Sequence, residues 1–197
     1  MAARTLAQRL TAERSALFVC DVQERFRTMI SGMPSVIDTS QRMVRASKEL
    51  GIPVVVTEQY PKALGNTVEE VASQIPEGSP VIAKTNFSMM VPEVKEHLAA
   101  LGTVEKVLLV GIEAHVCVLQ TTLDLIESNY EVHLLVDGIS SSRFSERSVA
   151  LQRMANMGAV LSTSEMALFQ MLGDAKAPGF KAISNLIKEE RAESLPF

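Results

Sequence analysis

The chain has 197 residues, 47% of them hydrophobic, and a net charge of −4. That length can bury a full core without disulfides or a structural metal, which predicts one domain over residues 1–197. The acidic balance and the lack of a Lys/Arg cluster interleaved with aromatics predict no nucleic-acid partner, and no apolar run approaches the roughly 20 residues a bilayer requires.

Residues 1–15 read as an N-terminal extension in which Arg4, Arg9 and Arg14 occur with no acid before Glu13. Two readings stand: a short helix leading into the first strand of a cytoplasmic protein, or a weak mitochondrial presequence. The run "ALFVC", Ala16 to Cys20, is the first strand, and Cys20 is assigned to packing because its side chain is expected to enter a helix layer. Asp21 closes the strand, either as a cap of the following turn or as a general base.

The irregular segment "ERFRTMISGMPS" follows, then a helix in "SVIDTSQRMVRASKELG" that aligns Val36, Met43, Val44 and Leu50 and stops at Gly51. "PVVVTE", Pro53 to Glu58, is the second strand, and "EQYPKALGNT" again lacks regular periodicity. "PVIAKT", Pro80 to Thr85, is a weaker strand carrying Lys84, read either as a surface lysine or as a buried partner for a carboxylate. After the helical "VPEVKEHLAALG" comes "KVLLVG", Lys106 to Gly111, and then "CVLQTTLDLIESN". In that helix Cys117 falls in the first turn, where backbone amides favour a thiolate. A small buried hydrophobe is the competing reading.

"EVHLLVD" (Glu131 to Asp137), "SERSVALQRMANMG" and "AVLST" (Ala159 to Thr163) complete the alternation, and residues 174–197 form a tail with one amphipathic helix. Near-continuous apolar strands separated by glycine-terminated helices predict a parallel sheet covered on both faces. The predicted fold is a three-layer, doubly wound α/β sandwich with a six-stranded parallel sheet in the order 3-2-1-4-5-6. In that order the first and fourth strands are neighbours, so Asp21 and Cys117 face each other across the crevice at their carboxyl ends. The same rule assigns Gln23, Phe26, Tyr60 and Phe87 to the substrate-binding wall, with ordinary core packing as the alternative for each.

The two cysteines, Cys20 and Cys117, fit no CxxC or Cys/His spacing, and the loop after the second strand reads Thr57, Glu58, Gln59, Tyr60, Pro61 without a histidine. No metal site and no cofactor are predicted. Of the three histidines, His97 and His133 read as structural or surface residues, whereas His115, two residues before Cys117, is a candidate substrate contact.

Taken together, "FVCDVQERF", "VIAKTNFSM" and "VGIEAHVCVLQTTLDL" resemble, in this order and spacing, the isochorismatase-like cysteine hydrolase superfamily. The resemblance covers roughly Ala16 to Phe169, and "VTEQYPKALGNTV" is similar to the isochorismatase-domain-containing subgroup rather than to the nicotinamidases. It implies Asp21 as base, Lys84 as its charged partner and Cys117 as nucleophile. It also implies a non-proline cis peptide between Ile112 and Glu113, with the backbone NH groups of Glu113 and Cys117 forming an oxyanion hole. The function expected is metal-independent hydrolysis of a small amide or related carbonyl compound through a thioester, although an enol-ether branch of the superfamily shares these motifs. Two rival functions stand beside it: an interaction or regulatory module that retains the fold, and an RNA-associated ribonuclease, which the acidic charge opposes. Relatives of this kind are commonly oligomers, and ten methionines, Met89 and Met90 among them, supply apolar contact surface, so a homo-oligomer is expected.

Overall fold

The computed structural model describes residues 9–193 and 195. Most of the arginine-rich start, and with it the presequence reading, lies outside the described residues; just before the first strand the chain makes a single 3₁₀ turn, Ala12–Arg14.

The apolar runs form β1 (Ser15–Cys20), β2 (Val54–Gln59), β3 (Val81–Lys84), β4 (Lys106–Ile112), β5 (Glu131–Ser140) and β6 (Val160–Ser162). All neighbouring pairs are parallel, and the order is β3-β2-β1-β4-β5-β6. The helices are α1 (Met33–Leu50), α2 (Pro61–Leu64), α3 (Glu69–Ala72), α4 (Pro92–Leu101), α5 (Leu119–Glu127), α6 (Phe144–Asn156), α7 (Ser164–Leu172) and α8 (Phe180–Lys188).

Side chains alternate across a strand, so β1 divides its residues between two cores. Leu17 and Val19 pack with Val36, Met43 and Val44 of α1 and with Leu168 of α7, whereas Ala16, Phe18 and Cys20 pack with Val94 of α4, Leu125 of α5 and Leu151 of α6. Every residue of β1 and β4 is buried, which is why both strands read as continuous apolar runs. The edge strand β3 is largely exposed, and its signal is correspondingly weak.

Two elements depart from the sequence reading. "SEMALFQML" is α7, capped by Thr163 Oγ1, which accepts a 3.2 Å hydrogen bond from Met166 N. Its apolar residues are spread around the helix, so no amphipathic stripe marks it. The helix after β4 starts before Cys117, with a wide turn over Ala114–Val118 in which Val118 N reaches back five residues to Glu113 O at 3.2 Å.

Two features aim the carboxyl ends of β1 and β4 at one place. Gly111 adopts φ +118°, and a Cβ there would lie 2.1 Å from the carbonyl oxygen of Cys20. Only glycine lets β4 approach the end of β1 this closely. Opposite it β5 bulges, so that Leu109 pairs with Leu134 but Gly111 pairs with Ile139. The carbonyls freed by the bulge are held by Arg147 of α6, whose Nε donates to Ile139 O at 2.7 Å and Nη2 to Val136 O at 2.5 Å.

Substituting Gly111→Ala forces the Cys20 and Gly111 backbones apart in addition to a left-handed φ, so stability should fall by about 2 kcal/mol or more. A urea-denaturation midpoint indistinguishable from that of the unsubstituted protein would contradict this close approach.

Candidate active site

Asp21 follows the last residue of β1 with φ +53°, a left-handed conformation that aspartate tolerates better than most residues. The turn brings its carboxylate back over the sheet edge. Thr57 Oγ1 donates to Oδ1 at 2.7 Å and Lys84 Nζ donates to Oδ2 at 2.7 Å. The side chains of Lys84 and Asp21 are 0% and 1% exposed, so this is a buried ion pair.

Lys84 has further acceptors: Gln59 Oε1 at 2.8 Å, Phe87 O at 3.0 Å and Asn86 O at 3.1 Å. Four acceptors around three protons leave this ammonium nothing to offer a ligand. Gln59 reaches it because Gln59 and Lys84 are partners in the β2–β3 ladder.

Cys117 lies in the wide turn after β4, is 7% exposed, and shares with Asp21 a cavity of about 260 Å³. The Ile112–Glu113 peptide bond, at the mouth of that turn, is cis. Phe26, Leu64, Phe87 and Val116 give the cavity apolar walls, and the half-exposed rings of Tyr60 and Phe87 stand at its rim. Its lining residues include Asp21 and Glu113 and no lysine or arginine, and the Glu113 carboxylate accepts from Ser142 N at 2.7 Å. A larger hollow, about 470 Å³, runs along the β3 edge beyond Tyr60, but neither Asp21 nor Cys117 reaches it. The smaller cavity is lined by both Asp21 and Cys117.

The structure therefore brings Asp21, Glu113, Cys117, Phe26, Tyr60 and Phe87 around one space, with Lys84 behind Asp21. Gln23 and His115 are elsewhere. Gln23 is fully buried and staples the chain: Nε2 donates to Gly65 O (2.6 Å) and Gln59 O (3.0 Å), and Oε1 accepts from Gln59 N (2.7 Å). It shapes the wall from behind. His115 turns toward β5, its Nδ1 3.0 Å from Ser141 Oγ, and does not line the cavity. Gln59, Leu64, Ile112 and Val116 line it without having been singled out in the sequence, since their exposure to the cavity depends on strand register and on the turn after β4.

Cys20 is packed in the core, as its place in an apolar run predicts, and it also lies beside Asp21. Its Sγ is 3.7 Å from Asp21 Oδ2, and it belongs to the same buried cluster as Cys117. Burial, then Cys117, then the Asp21 charge push its thiol pKa up. Among the described residues, no group of three or more His, Cys, Asp or Glu side chains is arranged to hold a metal ion.

The sequence from residue 15 to residue 166 matches the model of the isochorismatase domain. The chain belongs to the isochorismatase family. A secreted isochorismatase effector, Isc1 of Phytophthora sojae, is 49% identical over 185 residues, covering 92% of this chain and 88% of the effector. Isochorismatase domain-containing protein 1 of Salmo salar is 44% identical over 190 residues, 96% of this chain but 66% of that protein's length. Among solved structures, MAR1 ribonuclease from Caenorhabditis elegans superposes with a TM-score of 0.91 at 43% identity, over 96% of this chain and 98% of that one. This isochorismatase-family chain carries a doubly wound sheet in which Asp21 follows β1, beside β4, and Lys84 reaches it from the end of β3.

Removing one member of that pair leaves the other charge buried and unpaired, so Lys84→Met should cost about 3–5 kcal/mol of folding stability. The double variant Asp21→Asn/Lys84→Met should lose less than the two single losses added together. Additive losses in urea titrations would mean that the two charges do not depend on each other.

Proposed function

We propose that the protein is a metal-independent cysteine hydrolase acting on a small, uncharged carbonyl compound, with an amide as the preferred class. The observation that carries this reading is one cavity shared by a thiol and a carboxylate whose ionic partner is buried behind it. The cavity, about 260 Å³, is smaller than the ~300–1,000 Å³ of pockets for drug-sized ligands, and its lining residues offer an anion no lysine or arginine.

In this mechanism Asp21 takes the proton of the Cys117 thiol, and the thiolate attacks the carbonyl carbon. Backbone NH groups of Glu113 and Cys117 receive the oxyanion, which is the role an oxyanion hole plays in acyl transfer. The carbon–nitrogen bond breaks as Asp21 returns the proton to the departing amine, leaving a thioester. Asp21 then deprotonates a water, hydroxide adds to the thioester, and the Cys117 sulfur leaves and regains its proton from Asp21, restoring thiol and carboxylate. Lys84 stays fixed throughout, balancing Asp21 and holding its carboxylate in place. A carboxylic acid and ammonia or an amine are the products.

Ribonuclease action is the second reading, and its support is the name of the C. elegans structure. Against it, a cavity with no Lys or Arg among its lining residues is a poor place for a phosphodiester. Met89 and Met90, expected as contact surface, are instead buried in the core, so the homo-oligomer expectation is supported only by the exposed apolar residues Val149, Val160, Met166 and Phe169 of α6, β6 and α7.

Cys117→Ala and Asp21→Asn should each lower kcat/KM on a small amide by at least about 10³-fold, with circular dichroism showing both folded. Amide hydrolysis that persists in Cys117→Ala, or RNA cleavage that disappears in it, would overturn the proposal. In light scattering the protein should run as more than one copy; a monomer at micromolar concentration would remove the oligomer from the account.

A further inference from the structure

Besides the groups used in hydrolysis, the site holds a second thiol that the mechanism does not use. Cys20 is the last residue of β1 and fully buried; its sulfur is 3.7 Å from Asp21 Oδ2, Asp21 shares the cavity with Cys117, and both cysteines belong to one buried cluster. Cys117 borders the open cavity, whereas Cys20 lies behind it in the same apolar cluster. An oxidant entering the cavity therefore meets Cys117 first.

We infer that Cys20 and Cys117 form an oxidation site, in which a peroxide oxidises Cys117 and Cys20 resolves the product as an intramolecular disulfide. Hydrogen peroxide, small and uncharged, suits a cavity of about 260 Å³ with no lysine or arginine in its lining. Asp21 takes the Cys117 proton, the thiolate attacks one peroxide oxygen, and the oxygen–oxygen bond breaks. The departing hydroxide recovers the proton from Asp21 as water. Sulfur is oxidised to a sulfenic acid and the peroxide is reduced.

The second step uses the same carboxylate. Asp21 takes the proton of the Cys20 thiol, the Cys20 sulfur attacks the Cys117 sulfur, and the sulfur–oxygen bond breaks. Hydroxide leaves and is protonated by Asp21, giving a second water. In sum, two thiols and one peroxide become one disulfide and two waters.

The order of events follows from the surroundings of each thiol. Burial keeps Cys20 protonated and unreactive toward an incoming oxidant, while its contact with Asp21 supplies a base once an electrophilic sulfur stands beside it. The consequence is reversible shut-off of the hydrolase. A disulfide at Cys117 is restored by a dithiol, whereas sulfinic or sulfonic acid at the same sulfur is not.

This inference rests on Cys117 being the reactive thiol proposed above, and peptide mass spectrometry separates the two. Purified protein is treated with a small excess of hydrogen peroxide, its free thiols are capped with iodoacetamide, and it is digested without reductant. The expected result is a linked pair of peptides containing Cys20 and Cys117, with both thiols regained after dithiothreitol. In Cys20→Ser and Cys20→Ala, Cys117 should pass to sulfinic acid, and dithiothreitol should no longer recover it. Sulfinic acid at Cys117 of the unsubstituted protein while Cys20 is still capped by iodoacetamide would overturn the disulfide and leave the nucleophile standing. A Cys117 inert to both peroxide and iodoacetamide would overturn both.

Discussion

A carboxylate and an ammonium buried 2.7 Å apart set the terms for the rest of this molecule. Either charge alone in that environment would carry a desolvation cost of several kcal/mol, and their attraction offsets it only when the geometry is good and the remaining donors and acceptors are satisfied. Thr57, Gln59 and the carbonyls of Asn86 and Phe87 meet that demand. Three parallel strands, β1, β2 and β3, must therefore end in register. The segment after β3 must also fold back over the Lys84 ammonium, and this places Phe87 at the cavity rim.

On the other side of Asp21 the constraint is one of space. Gly111 lets β4 close on β1, and the β5 bulge, held by Arg147, completes the far edge of the same end of the sheet. The wide turn over Ala114–Val118 then carries Cys117 onto the cavity wall at the start of α5. Rigid strand ends thus present the thiol and the carboxylate, and irregular segments after β1 and β2 supply the apolar wall, as the crevice rule for doubly wound sheets anticipates.

The fold was legible because burial on both faces writes itself into composition. "ALFVC" and "KVLLVG" are apolar without alternation, and the glycines that end α1 and α4 sit where chain reversal needs a left-handed residue. The crevice residues Asp21 and Cys117 were legible for a related reason: strand ends in this topology converge. Contacts that depend on register were not. Gln59 beside Lys84 follows from β2–β3 pairing, which a single sequence does not fix. Gln23 looked like a ligand contact because it follows the Asp21 motif, yet all its amide bonds go to backbone. His115 is close to Cys117 in sequence, but the turn sends its ring to Ser141. Cys20 packs as its place in an apolar run predicts, but that place says nothing about the Asp21 carboxylate beside its sulfur.

The central claim is that a covalent bond forms between substrate carbon and the Cys117 sulfur. It is tested most directly by mixing the protein with a panel of small primary amides and their activated-ester analogues, quenching in acid within a turnover, and mapping mass additions by peptide fragmentation. The account predicts an acyl group on Cys117 that accumulates with the activated esters, disappears on standing and is missing in Cys117→Ser digests at the thioester mass. Hydrolysis proceeding at full rate with Cys117 unmodified at every quench time would contradict it.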